Sequence, residues 1–140
     1  MSIKHIVVGV TENETSQHAA RIALEHAATN GATLHVVTAV RHPEHEVIEA
    51  GGEQWEFSSL DQAQANLGRF VDSLQTSVPL TVTALGGNPA EVLVSEAERV
   101  GANLIVVGNV RMQGPSRVLG SVGSHVLRHA PCDVLVVKTV

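Results

Sequence analysis

The stretch GNPAEVLVSEAERVGANLIVVGN, residues 87–109, decides the fold because a helix start and a buried strand follow one another in it. Asn88 is suited to cap a helix, Pro89 fits the first helical position, and Glu91 stands where it can reach back as in a capping box. The run Leu-Ile-Val-Val-Gly at 104–108 then shows no polar alternation. An unbroken β-branched run reads as a strand covered on both faces, which is the habit of strands in a parallel sheet.

Similar runs recur at residues 3–10, 33–40, 80–85 and 134–138. Between the second and third, Leu60, Ala63, Leu67, Phe70 or Val71, and Leu74 keep helical spacing and predict an amphipathic helix. Ser58 with Asp61 gives a weaker cap signal, Gly31 suits a left-handed helix end, and a last helix is expected to begin near Ser121 and stop before Pro131. Strands alternating with helices place the chain in the α/β class. Residues 41–57 break the alternation with five glutamates, two histidines and a Gly-Gly pair. A connection of that length is read as a mobile flap, with Val47, Ile48, Trp55 and Phe57 as partial anchors.

A chain of 140 residues that is 44% hydrophobic supports one domain, residues 1–140, with a self-sufficient core and one site. Its apolar runs are too short to span a membrane and its start lacks a signal-peptide pattern, so a cytoplasmic protein is expected. The net charge of −5 and a total of three aromatic residues, Trp55, Phe57 and Phe70, argue against nucleic acid as a partner. The charge is unevenly spread. Residues 99–132 hold four arginines and none of the fourteen carboxylates. The lone Cys132 is expected as a small buried thiol at a strand entrance.

In an open parallel sheet the ligand crevice lies beyond the carboxyl ends of the strands. The first run ends at Val10 and Thr11, the fourth at Gly108. A dinucleotide fingerprint is absent from the first end, where only Gly9 precedes Thr11, and no lysine between Lys4 and Lys138 could serve a phosphate loop. The sequence GSVGS has the wrong order for a serine nucleophile, and Thr11-Glu12 with Leu85-Gly86-Gly87 does not make a phosphoacceptor pair. No catalytic constellation emerges.

What remains is GNVRMQGPSRVLGSVGSH, residues 108–125. A helix starting at Gly120-Ser121 would turn its first backbone N–H groups and the positive end of its dipole toward the crevice, where Arg111 and Arg117 could add charge-assisted bonds. A plain loop with a serine cap is the alternative reading. His125 and His129 have chelating spacing but no third ligand, so no metal site of the chain's own is expected. His5 and His35 read as structural, His42 and His45 as solvated. The terminal DVLVVKTV run would form a sheet edge open to pairing.

Three stretches, IVVGVTENETSQHAARIALEHA, GNPAEVLVSEAERVGANLIVVGN and LGSVGSHVLRHAPCDVLVVK, together resemble the universal stress protein family over essentially the whole chain. The resemblance implies a single doubly wound sheet of five parallel strands, order 3-2-1-4-5, with four flanking helices. It also implies a homodimer through the C-terminal edge strand, built partly from Val134 and Val136. Some members bind ATP or another adenine nucleotide, with magnesium as counter-ion, between the first and fourth strand ends. Transferred to this chain, the nucleotide-binding positions are Val10, Thr11, Ala39, Val107, Gly108, Arg111, Gly120, Ser121 and Val122. Ala39 would lie near the adenine, and Val10 and Val107 would be apolar walls.

The chain departs from the family's G-x2-G-x9-G-[ST] pattern. Arg111 takes the second glycine position, the segment from Gly108 to Gly120 is one residue short, Thr11 replaces an aspartate, and Gly123 replaces a small hydroxyl residue. Arg111 either fills the phosphate space or extends over the phosphates as a cation. Thr11 keeps one hydroxyl without an acceptor-only carboxylate, so weak nucleoside selectivity is expected. The function implied is a small regulatory module with at most slow hydrolysis. The alternative is a nucleotide-free stress-response dimer acting only through protein contacts.

Overall fold

Alternate side chains of the central strands go to opposite faces of one sheet, and both faces are apolar. The computed structural model describes residues 2–10, 14–109 and 120–138. In chain order the elements are β1 (His5–Gly9), α1 (Glu14–Asn30), β2 (Thr33–Val40), β3 (His45–Ala50), β4 (Glu53–Ser58), α2 (Ser59–Ser73), β5 (Leu80–Gly86), α3 (Pro89–Val100), β6 (Leu104–Asn109), α4 (Ser121–His129) and β7 (Asp133–Lys138). Five of the strands pair in parallel in the order β5-β2-β1-β6-β7. Counting these five alone, that is the expected order 3-2-1-4-5.

On one face Ile6, Val8, Leu34, Val36 and Val106 meet α1 and α2. Helix α1 presents Ala19, Ala20, Ala23 and Ala27, each at most 1% exposed, so its backbone can lie close to the sheet. On the other face Val7, Val37, Ile105 and Val107 meet α3 and α4. Helix boundaries follow local chemistry. Asn88 Oδ1 accepts from the amides of Ala90 at 3.0 Å and Glu91 at 3.4 Å, with Pro89 opening α3. Ser58 Oγ accepts from Asp61 N at 3.3 Å to start α2, and Gly31 ends α1 at φ +63°.

A polar string crosses the amino-end of the sheet. His5 Nδ1 lies 3.1 Å from His35 Nε2, and His35 Nδ1 lies 2.8 Å from Thr81 Oγ1, linking β1, β2 and β5. His35 is 7% exposed. Burial first, then the charges of His5 and Arg99, hold its pKa below the ordinary value, with Glu96 acting in the opposite sense. Both histidines are thus structural, as their strand positions suggested. Glu96 is itself buried and receives two bonds from Arg99, at 2.9 and 2.8 Å, which with the Arg99 charge keep its carboxyl below the usual range against the cost of burial.

The expected flap is corrected. Residues 45–58 form an antiparallel hairpin with Ala50 opposite Glu53, so Gly51 and Gly52 make a two-residue turn at φ +61° and +80°. Positive φ at both turn residues matches the twist of paired strands, and glycine adopts it without a steric penalty. The supposed anchors Val47, Ile48, Trp55 and Phe57 are 41–59% exposed. Pairing of the two strands, not burial of these side chains, organises the segment. Among the described residues, no helix is long and apolar enough to cross a membrane.

Candidate functional site

Strand β1 lies between β2 and β6. From β1 the chain passes through α1 to β2 on one side, and from β6 it passes through α4 to β7 on the other. Because α1 and α4 cover opposite faces, the two connections leave in opposite directions and a crevice opens at the carboxyl ends of β1 and β6.

The sequence-derived residues that the structure describes differ in state. Val10 follows β1, donates its amide to Val37 O at 2.8 Å, and buries its side chain in the α1/α2 core. Val107 is buried in the opposite core beside α3 and α4. Strand alternation sends these two walls to different faces, and both are largely spent on packing. Ala39 is half-buried on the α3/α4 side at the end of β2, and Gly108 is half-buried near the end of β6, opposite Val137. Thr11 and Arg111 lie outside the described residues.

Gly120 is the N-cap of α4, extended at φ −66°, ψ 166°, and supplies no side-chain cap bond. Ser121 is exposed and Val122 packs against the α3/α4 core. The starts of α2 and α3 differ: each has a side-chain cap and an acid in its first turn, Asp61 and Glu91. The first turn of α4 has neither, while Arg128 and His129 occupy its last turn. The negative end of the helix is therefore compensated by its own side chains, while its first turn carries no acid to match the positive end.

Beside the ends of β1 and β2, under α1 and α2, lies a recess of about 80 Å³ lined by Val10, Gln17, Thr38, Asn66 and Phe70 among others. Ligand pockets usually measure about 300–1,000 Å³, so this space has room for water or a substituent but not for a whole nucleotide. Sequence reading missed its polar members. Thr38 carried the one available signal, a hydroxyl on the face that β2 otherwise fills with Leu34 and Val36.

Other reactive side chains offer little chemistry. Cys132 stands at the entrance of β7, half-buried rather than fully buried; burial and then the Asp133 charge push its thiol up, which keeps it protonated and a poor nucleophile. His125 and His129 bring their rings to 4.5 Å on α4. No group of three metal-ligating side chains occurs among the described residues.

The family model of the universal stress proteins matches residues 2–138. This chain belongs to the universal stress protein family. Universal stress protein A homolog 1 of Coxiella burnetii is 31% identical to it over 98% of this chain and 97% of the relative. A solved universal stress protein in complex with cAMP superposes with a TM-score of 0.74 at 29% identity, covering all of both chains. The universal stress protein of Archaeoglobus fulgidus in complex with dAMP has a TM-score of 0.69 at 24% identity over 99% of this chain and all of that one, a likeness of fold.

Proposed function

We propose that this universal stress protein binds ATP or another adenine nucleotide at the carboxyl ends of β1 and β6 and acts as a small cytoplasmic regulatory module. The observation that carries this reading is the start of α4, which lacks both a side-chain cap and a first-turn acid and lies beside the crevice of the sheet. Phosphates would accept from the first-turn amides and from the Ser121 hydroxyl, with magnesium as their counter-ion. Gly108 and Ala39 would face the nucleoside with backbone and little side-chain bulk, Thr11 would offer one hydroxyl, and Arg111 would extend over the phosphates. Val10, Val107 and Val122 would hold the walls from the core behind. The similar protein in complex with cAMP supports the choice of an adenine nucleotide. No general base stands at the described strand ends, so hydrolysis would be slow at most.

The module would be a homodimer paired through β7, an edge strand whose single neighbour in the sheet is β6. Val134 and Val136 pack toward their own α3/α4 core, so such pairing would rest on the backbone edge more than on these side chains. A nucleotide-free dimer acting through protein contacts is the competing reading, favoured by the exposed apolar residues of β3 and β4. Native mass spectrometry of the purified protein separates the two. An adenine nucleotide released on denaturation, or a rise in melting temperature with millimolar ATP, supports the first; a bare dimer indifferent to ATP, AMP and cAMP overturns it.

A further inference from the structure

The hairpin has one apolar face. Residues directly opposite in an antiparallel pair share a face, so Ile48 and its partner Trp55 lie together with Phe57, and Glu46 and Glu53 flank them. Ile48 is 47%, Trp55 59% and Phe57 41% exposed. Together they leave roughly 300 Å² of apolar surface in water, the size at which patches on soluble proteins are commonly functional. The arm is held out at its base. Glu44 N donates to Ser59 Oγ at 2.7 Å, Ser59 N donates to Glu44 O at 2.9 Å, and Pro43 sits so close over Gly86 that a Cβ there would come within 2.7 Å of its ring.

Charge selects what can cover this face. Residues 44–58 hold five glutamates and no lysine or arginine, so two hairpins packed face to face would oppose like charges. Outside the hairpin, the one exposed large hydrophobic residue among the described residues is Leu127 of α4. It stands next to Arg128 and His129, both exposed, in the part of the chain without a carboxylate. The acidic arm and the basic helix each carry an uncovered apolar contact, and each has the charge the other lacks.

We propose that the β3–β4 hairpin is a docking arm for a second copy of this chain, seating Ile48, Trp55 and Phe57 on Leu127 of that copy, with Glu46 and Glu53 toward Arg128. About a two-fold axis the contact forms twice and closes. It is distinct from pairing through β7 and independent of nucleotide binding.

Trp55 is the sole tryptophan of the chain and reports the contact directly. Acrylamide quenching and emission maximum are measured on the full-length protein at about 500 µM, a concentration that populates even weak contacts. Docking gives a blue-shifted Trp55 quenched several-fold less than in the Leu127→Glu and Arg128→Glu variants, and combining Arg128→Glu with Glu53→Arg restores the protection. Both single substitutions lie on the exposed side of α4, and circular dichroism confirms that each variant is folded; should one fail to fold, the other carries the comparison. A Trp55 as accessible in the parent as in the variants overturns the proposal, including the case of a dimer formed through β7 alone. Protection that survives both α4 substitutions also overturns it, because the arm then docks elsewhere or on another protein.

Discussion

The central sheet and the β3–β4 hairpin both place large apolar residues on β-strands, in opposite environments. In the sheet, Val7, Val8, Ile105 and Val106 are 0% exposed because helices cover both faces. In the hairpin every described residue of β3, and all of β4 but its last, is exposed, and the turn and the backbone ladder hold the shape. A residue's contribution is thus set by what the topology lays over it and not by its strand propensity.

Two isoleucines make the contrast measurable. Ile105 lies in β6 between Val7 and Val134, and truncating it to alanine should cost about 2–5 kcal/mol in urea unfolding through lost burial and a cavity. A loss near zero would show that the two faces are not packed as described. Next in size is the acid sensitivity of the amino-end of the sheet. His35 has a folded-state pKa below its ordinary 6.5, so the unfolded chain binds the proton more readily. Stability should be full above about pH 6.5 and fall as pH drops from there through the folded value, the direction linkage requires when the unfolded state takes up more protons. The urea midpoint followed from pH 7.5 to 5 should decline less steeply in His35→Gln; identical slopes would remove His35 as the cause. The smallest effect belongs to the hairpin. Ile48→Ala at low protein concentration should change stability by no more than about 0.5 kcal/mol, since the side chain is half in water already, and a loss comparable to that at Ile105 would mean the arm is packed within its own protomer.

Much of the architecture is legible in the sequence. The strands at 33–40 and 104–108, the Asn88-Pro89 start of α3, the Gly31 helix end and the limits of α4 all come from local signals that the tertiary structure does not override. The hairpin was misread because five glutamates outweighed a short signal. Gly51-Gly52 flanked by Ile48 and Ala50 on one side and by Trp55 and Phe57 on the other alternates with period two, which is strand behaviour. At the candidate site, helix-end physics points to Gly120 and Ser121, and the family pattern points to the same pair and to Gly108. The facing of Val10 and Val107 is not legible, because strand parity becomes meaningful only when it is known which helix covers which face. The recess with Gln17, Thr38 and Asn66 joins three elements distant in sequence and left no local trace beyond the one threonine.

The start of α4 can be tested by a substitution that separates folding from binding. Aspartate is among the best N-cap residues and Gly120 has a φ that any residue adopts, so Gly120→Asp should leave the melting temperature unchanged or higher. On the proposed function the same carboxylate would occupy the place of a phosphate and repel it. Isothermal titration of ATP into the parent and Gly120→Asp proteins should therefore show an affinity reduced at least about tenfold in a variant that is no less stable. Equal affinities, or no binding to the parent at millimolar ATP, would contradict a nucleotide site at the glycine-capped end of α4.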